Sequence, residues 1–186
     1  MRRTVTILAA AGLVAGCGYN RIQQLDEAVN AYKSQIEVQL QRRADLVPNL
    51  VEVVRGYAQH EEEIFTAVAE ARAKLGGALQ SGDLRQMAEA NQGLSAALSR
   101  LIAIAENYPQ LKANENFRML QDQLEGTENR IATARQDYNN AVREYNAYIR
   151  QFPQVITAKL INAREREYFE VLTPEAREAP RVDFRR

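Results

Sequence analysis

Tryptophan is absent from this 186-residue chain, and cysteine and histidine occur once each. A single cysteine, Cys17, excludes an intrachain disulfide, so the fold must hold by packing alone. A single histidine, His60, excludes sites built from two or three imidazoles, and "YAQHEEE" is not the HExxH spacing of a zinc hydrolase. His60 reads as a structural or surface residue among acidic neighbours. Charge of either sign is not in excess, with 24 basic against 24 acidic residues, so no broad basic face is available for nucleic acid. No serine sits in a nucleophile elbow or a Ser-x-x-Lys setting. "GGALQSGD" lacks the lysine and the preceding strand of a phosphate loop. No catalytic residue, metal site or cofactor is expected, and an enzyme or metal binder using His60 is the remote reading. Period-two alternation is lacking too, which argues against sheet.

The N-terminus carries more information. "MRRTVTILAAAGLVAGCG" has a basic head, an apolar stretch from Val5 to about Ala15 and then small residues, the layout of a secretory signal. The stretch is well short of the roughly 18 residues a spanning helix needs. "LVAGC" resembles the bacterial lipobox, which implies cleavage between Gly16 and Cys17 and a lipidated Cys17 bearing diacylglycerol and palmitate-type chains. A plain secretory signal with a chance cysteine is the other reading. Two or more acyl chains anchor stably where one is marginal. The expected organisation is a signal peptide over 1–16, an anchored N-terminus and short linker over 17–21, a helical bundle over 22–172 and an extended tail over 173–186. Loss of 1–16 removes Arg2 and Arg3, leaving 22 basic and 24 acidic residues, a charge of −2.

The rest reads as helix. Ile22, Leu25, Val29, Tyr32, Ile36 and Leu40 are three or four apart, one stripe along a helix. The stripe resumes at Val47, Leu50, Val54 and Tyr57, then Ile64, Val68, Ala71 and Leu75. Gly76-Gly77 and "QSGD" predict the turn that ends it. Asp83 caps the next helix, with Gln86 in capping-box spacing. Its seam is Leu84, Met87, Asn91, Leu94, Leu98, Leu101, Ala105 and Tyr108, with Asn91 as a polar residue able to set register. Pro109 ends it. The third seam runs Phe117, Leu120, Leu124, Thr127, Ile131, Ala134, Tyr138, Ala141, Tyr145, Tyr148 and Phe152. Pro153 then opens a short helix over Val155, Ile156, Leu160 and Ile161 that is free to continue through "AREREYFEVL". The expected fold is all-α: an elongated antiparallel bundle of three long helices plus a shorter fourth.

"RRADLVPNL", residues 42–50, interrupts the first helix. Pro48 removes the N–H that would bond to the carbonyl of Ala44 and presses on it, at about 3 kcal/mol relative to Ala. Only Ala44 and Leu46 are apolar between Leu40 and Val47, so the stripe is expected to shift phase there. Because helical pattern flanks Pro48 on both sides, a kink is expected and not an end. The Ala44 carbonyl needs a donor, Asn49 or a neighbouring arginine. Arg42, Arg43, Asp45 and Asn49 form a dense polar cluster, and "EGTENR" supplies Glu125, Glu128, Asn129 and Arg130 further on. Pairing of the arginines with Glu125 or Glu128 would make a polar clasp. Asn139, Asn140 and Asn146 add amides that helices do not favour. Interhelical hydrogen bonds that fix register and a polar groove for a partner are the two readings.

"QLQRRADLVPNLVEVVRGYAQHE", "LSRLIAIAENYPQLKANENFRMLQDQLEGTENRIATARQDYNNAVREYNAYIRQFP" and "REREYFE" together resemble the LemA family of bacterial envelope proteins. The likeness runs from about Tyr19 to Phe184. It implies a helical bundle held at a membrane by its N-terminus, with no established enzymatic activity. This chain departs from the pattern in having a lipobox in place of an N-terminal transmembrane helix, Tyr32 in place of Trp, and Asn162-Ala163 in place of Gly-Phe. Gly18 after the cysteine resembles the outer-membrane sorting case in a two-membrane bacterium. The expected role is a lipid-tethered scaffold or adaptor outside the cytoplasm, bound to membrane lipid through Cys17 and to an unidentified envelope protein, without nucleic acid. A self-associating, stress-protective homo-oligomer is the second reading.

Overall fold

The helical stripes fold into four long helices and two short ones, seen in a computed structural model that describes the backbone of residues 2–169 and side chains from residue 18. The side chains of the predicted signal segment 1–16 and of Cys17, and the whole of the tail 173–186, lie outside what is described. In chain order the elements are α1 (Arg2–Arg55), α2 (Glu62–Ser81), α3 (Leu84–Ile104), a 3₁₀ turn (Ala105–Asn107), α4 (Pro109–Lys112), α5 (Glu115–Arg150) and α6 (Gln154–Leu160). Among the described residues no helix is long and apolar enough to cross a membrane. The chain divides into two units, residues 1–39 with 126–168 and residues 40–125 with 169–186.

Two expected boundaries move. The helical pattern expected to run from about 20 to 75 stops at Arg55 and restarts at Glu62. Between them Ala58 is fully buried, and its N–H bonds back to the Val54 carbonyl at 2.9 Å, so the turn is itself part of the core. Tyr57, expected on the stripe, is exposed there. Gly76-Gly77, expected to be a turn, lies inside α2, which continues to Ser81. A glycine inside a helix costs about 1 kcal/mol relative to Ala, which the buried Leu75 and Ala78 on either side offset. The reversal comes in the "QSGD" part of the expected turn, at Gly82, whose φ of 67° is left-handed. Asp83 then caps α3 by accepting the N–H groups of Arg85 at 2.8 Å and Gln86 at 3.2 Å. Those two bonds, Gln86 first, hold its carboxyl below the ordinary value.

In the unit containing residues 40–125, α2 and α3 form a hairpin, packed on each other across the short turn. Its core takes Leu40, Val47, Leu50 and Val54 from α1, Phe65, Val68 and Leu75 from α2, and Met87, Leu94, Leu98 and Leu101 from α3. Leu111, Phe117, Leu120 and Leu124 are buried in the same unit. The stripe does not lose phase before Pro48, because Arg43 and Ala44 are both buried and carry it from Leu40 to Val47. Pro109 ends no long helix directly. It starts α4 as the first residue, where its missing N–H is harmless. Asn114 next caps α5, accepting from the Phe117 N–H at 3.0 Å and donating to the Tyr57 hydroxyl at 3.0 Å.

In the other unit Ile22, Leu25, Val29 and Ile36 of α1 are buried, as are Ile131, Tyr138, Val142, Tyr145 and Ile149 of α5. The third seam holds its 3-4 spacing to Tyr145. Beyond that the buried set is Asn146 and Ile149, whereas Phe152 is 81% exposed. α6 covers only Gln154–Leu160 and does not continue through "AREREYFEVL". Asn162 stops it with a φ of 54°. The Asn162 N–H bonds to the Lys159 carbonyl at 3.2 Å and the Ala163 N–H to the Ala158 carbonyl at 2.9 Å, the two bonds of a Schellman end. Asn tolerates the left-handed position that otherwise selects Gly, so Asn162 does at this site what glycine does in the resembled pattern. Residues 163–169 then run without helix or strand.

Candidate functional site

Pro48 deprives the Ala44 carbonyl of its helical donor. The Nε of Arg72, on α2, replaces it at 2.8 Å. The donor is an arginine, as expected, but comes from the next helix and not from the 42–49 cluster. One turn away Arg43, 4% exposed, donates from Nη1 to Asn91 Oδ1 of α3 at 2.6 Å. Asn91 is the polar residue of the α3 seam, so two residues that look out of place in their own helices account for each other. Asp45 accepts from Gln41 on its own helix at 2.8 Å, while Arg42, Pro48 and Asn49 are exposed.

Glu125 belongs to the same unit as residues 42–49, and accepts from Gln121 at 3.4 Å. Glu128, Asn129 and Arg130 are exposed residues of the other unit. Asn129 and Arg130 border a shallow depression of about 330 Å³ with Gln35, Gln39 and Asp137. Arg135 has its pKa lowered by burial, and the Glu128 charge acts against that.

A second polar site was legible only in part. Asn146 is 3% exposed, and it reads the backbone of Arg166 at both edges. Its Nδ2 donates to the Arg166 carbonyl at 2.9 Å, and its Oδ1 accepts the Arg166 N–H at 2.8 Å. The Tyr138 hydroxyl donates to the Glu167 carbonyl at 2.9 Å. Arg166 closes the arrangement on α1, with Nε and Nη2 donating to Asp26 Oδ1 at 2.9 and 2.7 Å. The irregular "EREY" segment is thus held to α5 by side chains that satisfy its backbone N–H and C=O groups. Burial raises the Tyr138 and Tyr145 hydroxyl pKa values, and the hydrogen bonds that Arg166 donates to Asp26 raise that of Arg166. The excess of Asn in α5 was the available signal. Its partner was not, because the segment reads as more helix.

The outer face of the α2–α3 hairpin was missed altogether. Ala67, Ala71, Gly77 and Ala78 of α2 and Ala90, Gly93 and Ala97 of α3 floor a trough of about 840 Å³. Glu70, Lys74, Gln86, Glu89 and Arg100 line it as well. A Cβ at Gly76, Gly77 or Gly93 would meet nothing within 4 Å, so these glycines face open space. Small side chains leave the trough open, and residues of both charge signs line it. Each residue alone looks like an ordinary good or tolerated helix residue, which is why the sequence did not advertise it. His60 is exposed in the turn after α1. Among the described residues no group of three or more His, Cys, Asp or Glu is placed to hold a metal ion.

Comparison with known proteins adds a family and three relatives. The family model described as "LemA family" matches residues 32–184. Magnetosome proteins MamQ 1 and MamQ 2 of Paramagnetospirillum magneticum are each 30% identical over 175 residues, covering 82% of this chain and 64% of theirs. Magnetosome protein MamQ of Magnetospirillum gryphiswaldense is 28% identical over 174 residues, covering 81% and 64%. The chain therefore spans less than two thirds of the length of these curated relatives.

Proposed function

The chain belongs to the LemA family, and from that premise we propose that it is a non-enzymatic, lipid-tethered helical adaptor of the bacterial cell envelope. Cys17 is its anchor in this reading, and the α2–α3 trough is its docking face for a helix of an envelope protein. The observation that carries the adaptor reading is the trough: an open floor of Ala and Gly on two packed helices, bordered by charges of both signs. Backbones approach closely where side chains are small, so a partner helix would gain contact over most of its length. The "LVAGC" sequence supports the anchor, and Gly18 after it supports the periplasmic face of an outer membrane. No magnetosome role is carried over from the relatives, which extend well beyond the matched region.

Photo-crosslinking in living cells tests the docking face, with the reactive group placed at Ala71 or Gly93. Discrete heterologous products at these positions support the adaptor. Products with a second copy alone sink it and favour the self-associating structural component. Separately, Cys17→Ser should abolish acyl labelling and release the protein from the membrane fraction. Retention with normal processing would remove the anchor from the reading.

A further inference from the structure

α6 is inside out. With 100° between neighbours, Gln154, Thr157 and Ala158 of the helix and its C-cap Ile161 share one face, and Val155, Ile156, Lys159 and Leu160 the other. The first face is turned inward: Ala158 is buried, and a Cβ on Gly18 would stand 3.6 Å from Thr157 Oγ1 and 3.8 Å from Gln154 Cγ. On the second, Val155 is half-buried and Ile156, Lys159 and Leu160 are turned outward. Ile156 is 53% exposed, Leu160 81%, and Phe152, in the turn that leads into the helix, 81%. Burial of apolar area drives folding, so a short helix that turns Gln154 and Thr157 inward and leaves Ile156 and Leu160 outside needs a reason.

The contact at Gly18 supplies one. Gly18 immediately follows Cys17, so the inner face of α6 rests on the first residues after the lipid-bearing position. We propose that the outward face of α6 is a membrane-seating surface, with Phe152, Ile156 and Leu160 entering the interfacial layer of the bilayer in which the Cys17 acyl chains are embedded. This inference rests on the reading of Cys17 as the anchor. Lys159 lies between the apolar residues and has a stem long enough to carry its ammonium back to the headgroups. A short helix with large apolar residues on one side is suited to lying in the interface and not to crossing it. Acyl chains alone leave the protein free to swivel on its tether. A second contact beside the tether would orient it.

The absence of tryptophan makes the test direct. Phe152→Trp puts a single indole on the patch, and Ala132→Trp puts one on an exposed position of α5, about 27 Å along the helix from Arg150. The full lipidated chain is reconstituted into phosphatidylethanolamine–phosphatidylglycerol vesicles containing brominated lipid. Quenching and a blue shift at 152 but not at 132 are expected, and adding Ile156→Glu with Leu160→Glu should abolish both while acyl labelling persists. An acyl-labelled chain whose indole at 152 stays unquenched overturns the seating surface and leaves the anchor intact. Quenching at 152 in a chain that takes up no acyl label supports the surface and removes the anchor. A blue shift without vesicles that grows with protein concentration assigns the face to a second copy and overturns the proposal.

Discussion

The two units solve the same problem, a polar group in the core, with opposite chemistry. In the unit of residues 40–125 a charged guanidinium, Arg43, is buried against a neutral acceptor on Asn91. In the other unit a neutral amide, Asn146, is buried against backbone that carries no charge. The first arrangement has a donor only on one side and would accept a stronger acceptor on the other. The second has a donor and an acceptor matched edge to edge, and tolerates no change in either. A buried polar group is thus defined by what faces it and not by its residue type.

One substitution made twice breaks or sharpens this contrast. Asn146→Asp replaces the donating edge with an oxygen facing the Arg166 carbonyl and buries a charge, at about 3 kcal/mol or more in chemical denaturation. Asn91→Asp keeps the acceptor for Arg43 and adds an opposite charge, so its effect at neutral pH should stay within about 1 kcal/mol. Equal losses in the two variants would dissolve the contrast. Next in size, Arg72→Met should cost about 1–2 kcal/mol by orphaning the Ala44 carbonyl. The same change made on Pro48→Ala should cost clearly less, because residue 48 then supplies the N–H. A double-mutant cycle reads that difference directly.

Tyr138→Phe is expected to cost about 1 kcal/mol, since it leaves the Glu167 carbonyl without its donor. It has a pH signature as well. Burial raises the folded-state pKa of Tyr138 and Tyr145 above the ordinary 10.0, so the folded state holds these protons more tightly than the unfolded state. Their contribution is then fully present below pH 10.0 and is lost as pH rises through the raised values. Denaturation followed from pH 8 to 11 should show a steeper alkaline loss in the native chain than in Tyr138→Phe. The smallest effect belongs to Asp26→Ala. Its ion pair with Arg166 is partly exposed, so about 1 kcal/mol or less is expected, shrinking further with added salt.

Much of the architecture could be read from apolar spacing. Buried residues match the expected stripe from Ile22 to Leu40 with Tyr32 only half-buried, the α3 seam from Met87 to Ala105, and the α5 seam from Phe117 to Tyr145. What failed was punctuation. Gly76-Gly77 looked like a stop and Gly56 did not, yet the helix passes through the first and ends before the second. Glycine permits a turn without requiring one, and the choice depends on which neighbours the core can bury. Of the sites, Asn91, Pro48 and the Ala44 carbonyl were legible as local irregularities. Arg72 was not, because an arginine in a helix carries no mark of the distant carbonyl it will meet. The folded placement of α6 was equally hidden, since Ile156 and Leu160 read as core by composition.

Spacing of apolar side chains, a local property of the backbone period, was enough to set the helical class and most of the core faces. The lipobox-like "LVAGC" and the long polar motifs likewise stand in the sequence as written. Pairing belongs to the folded chain. Arg72 with Ala44, Arg43 with Asn91, and Asn146 with Arg166 are joined over separations of 28, 48 and 20 residues. A hydrogen bond is satisfied by geometry, and geometry between distant segments exists only once they have packed.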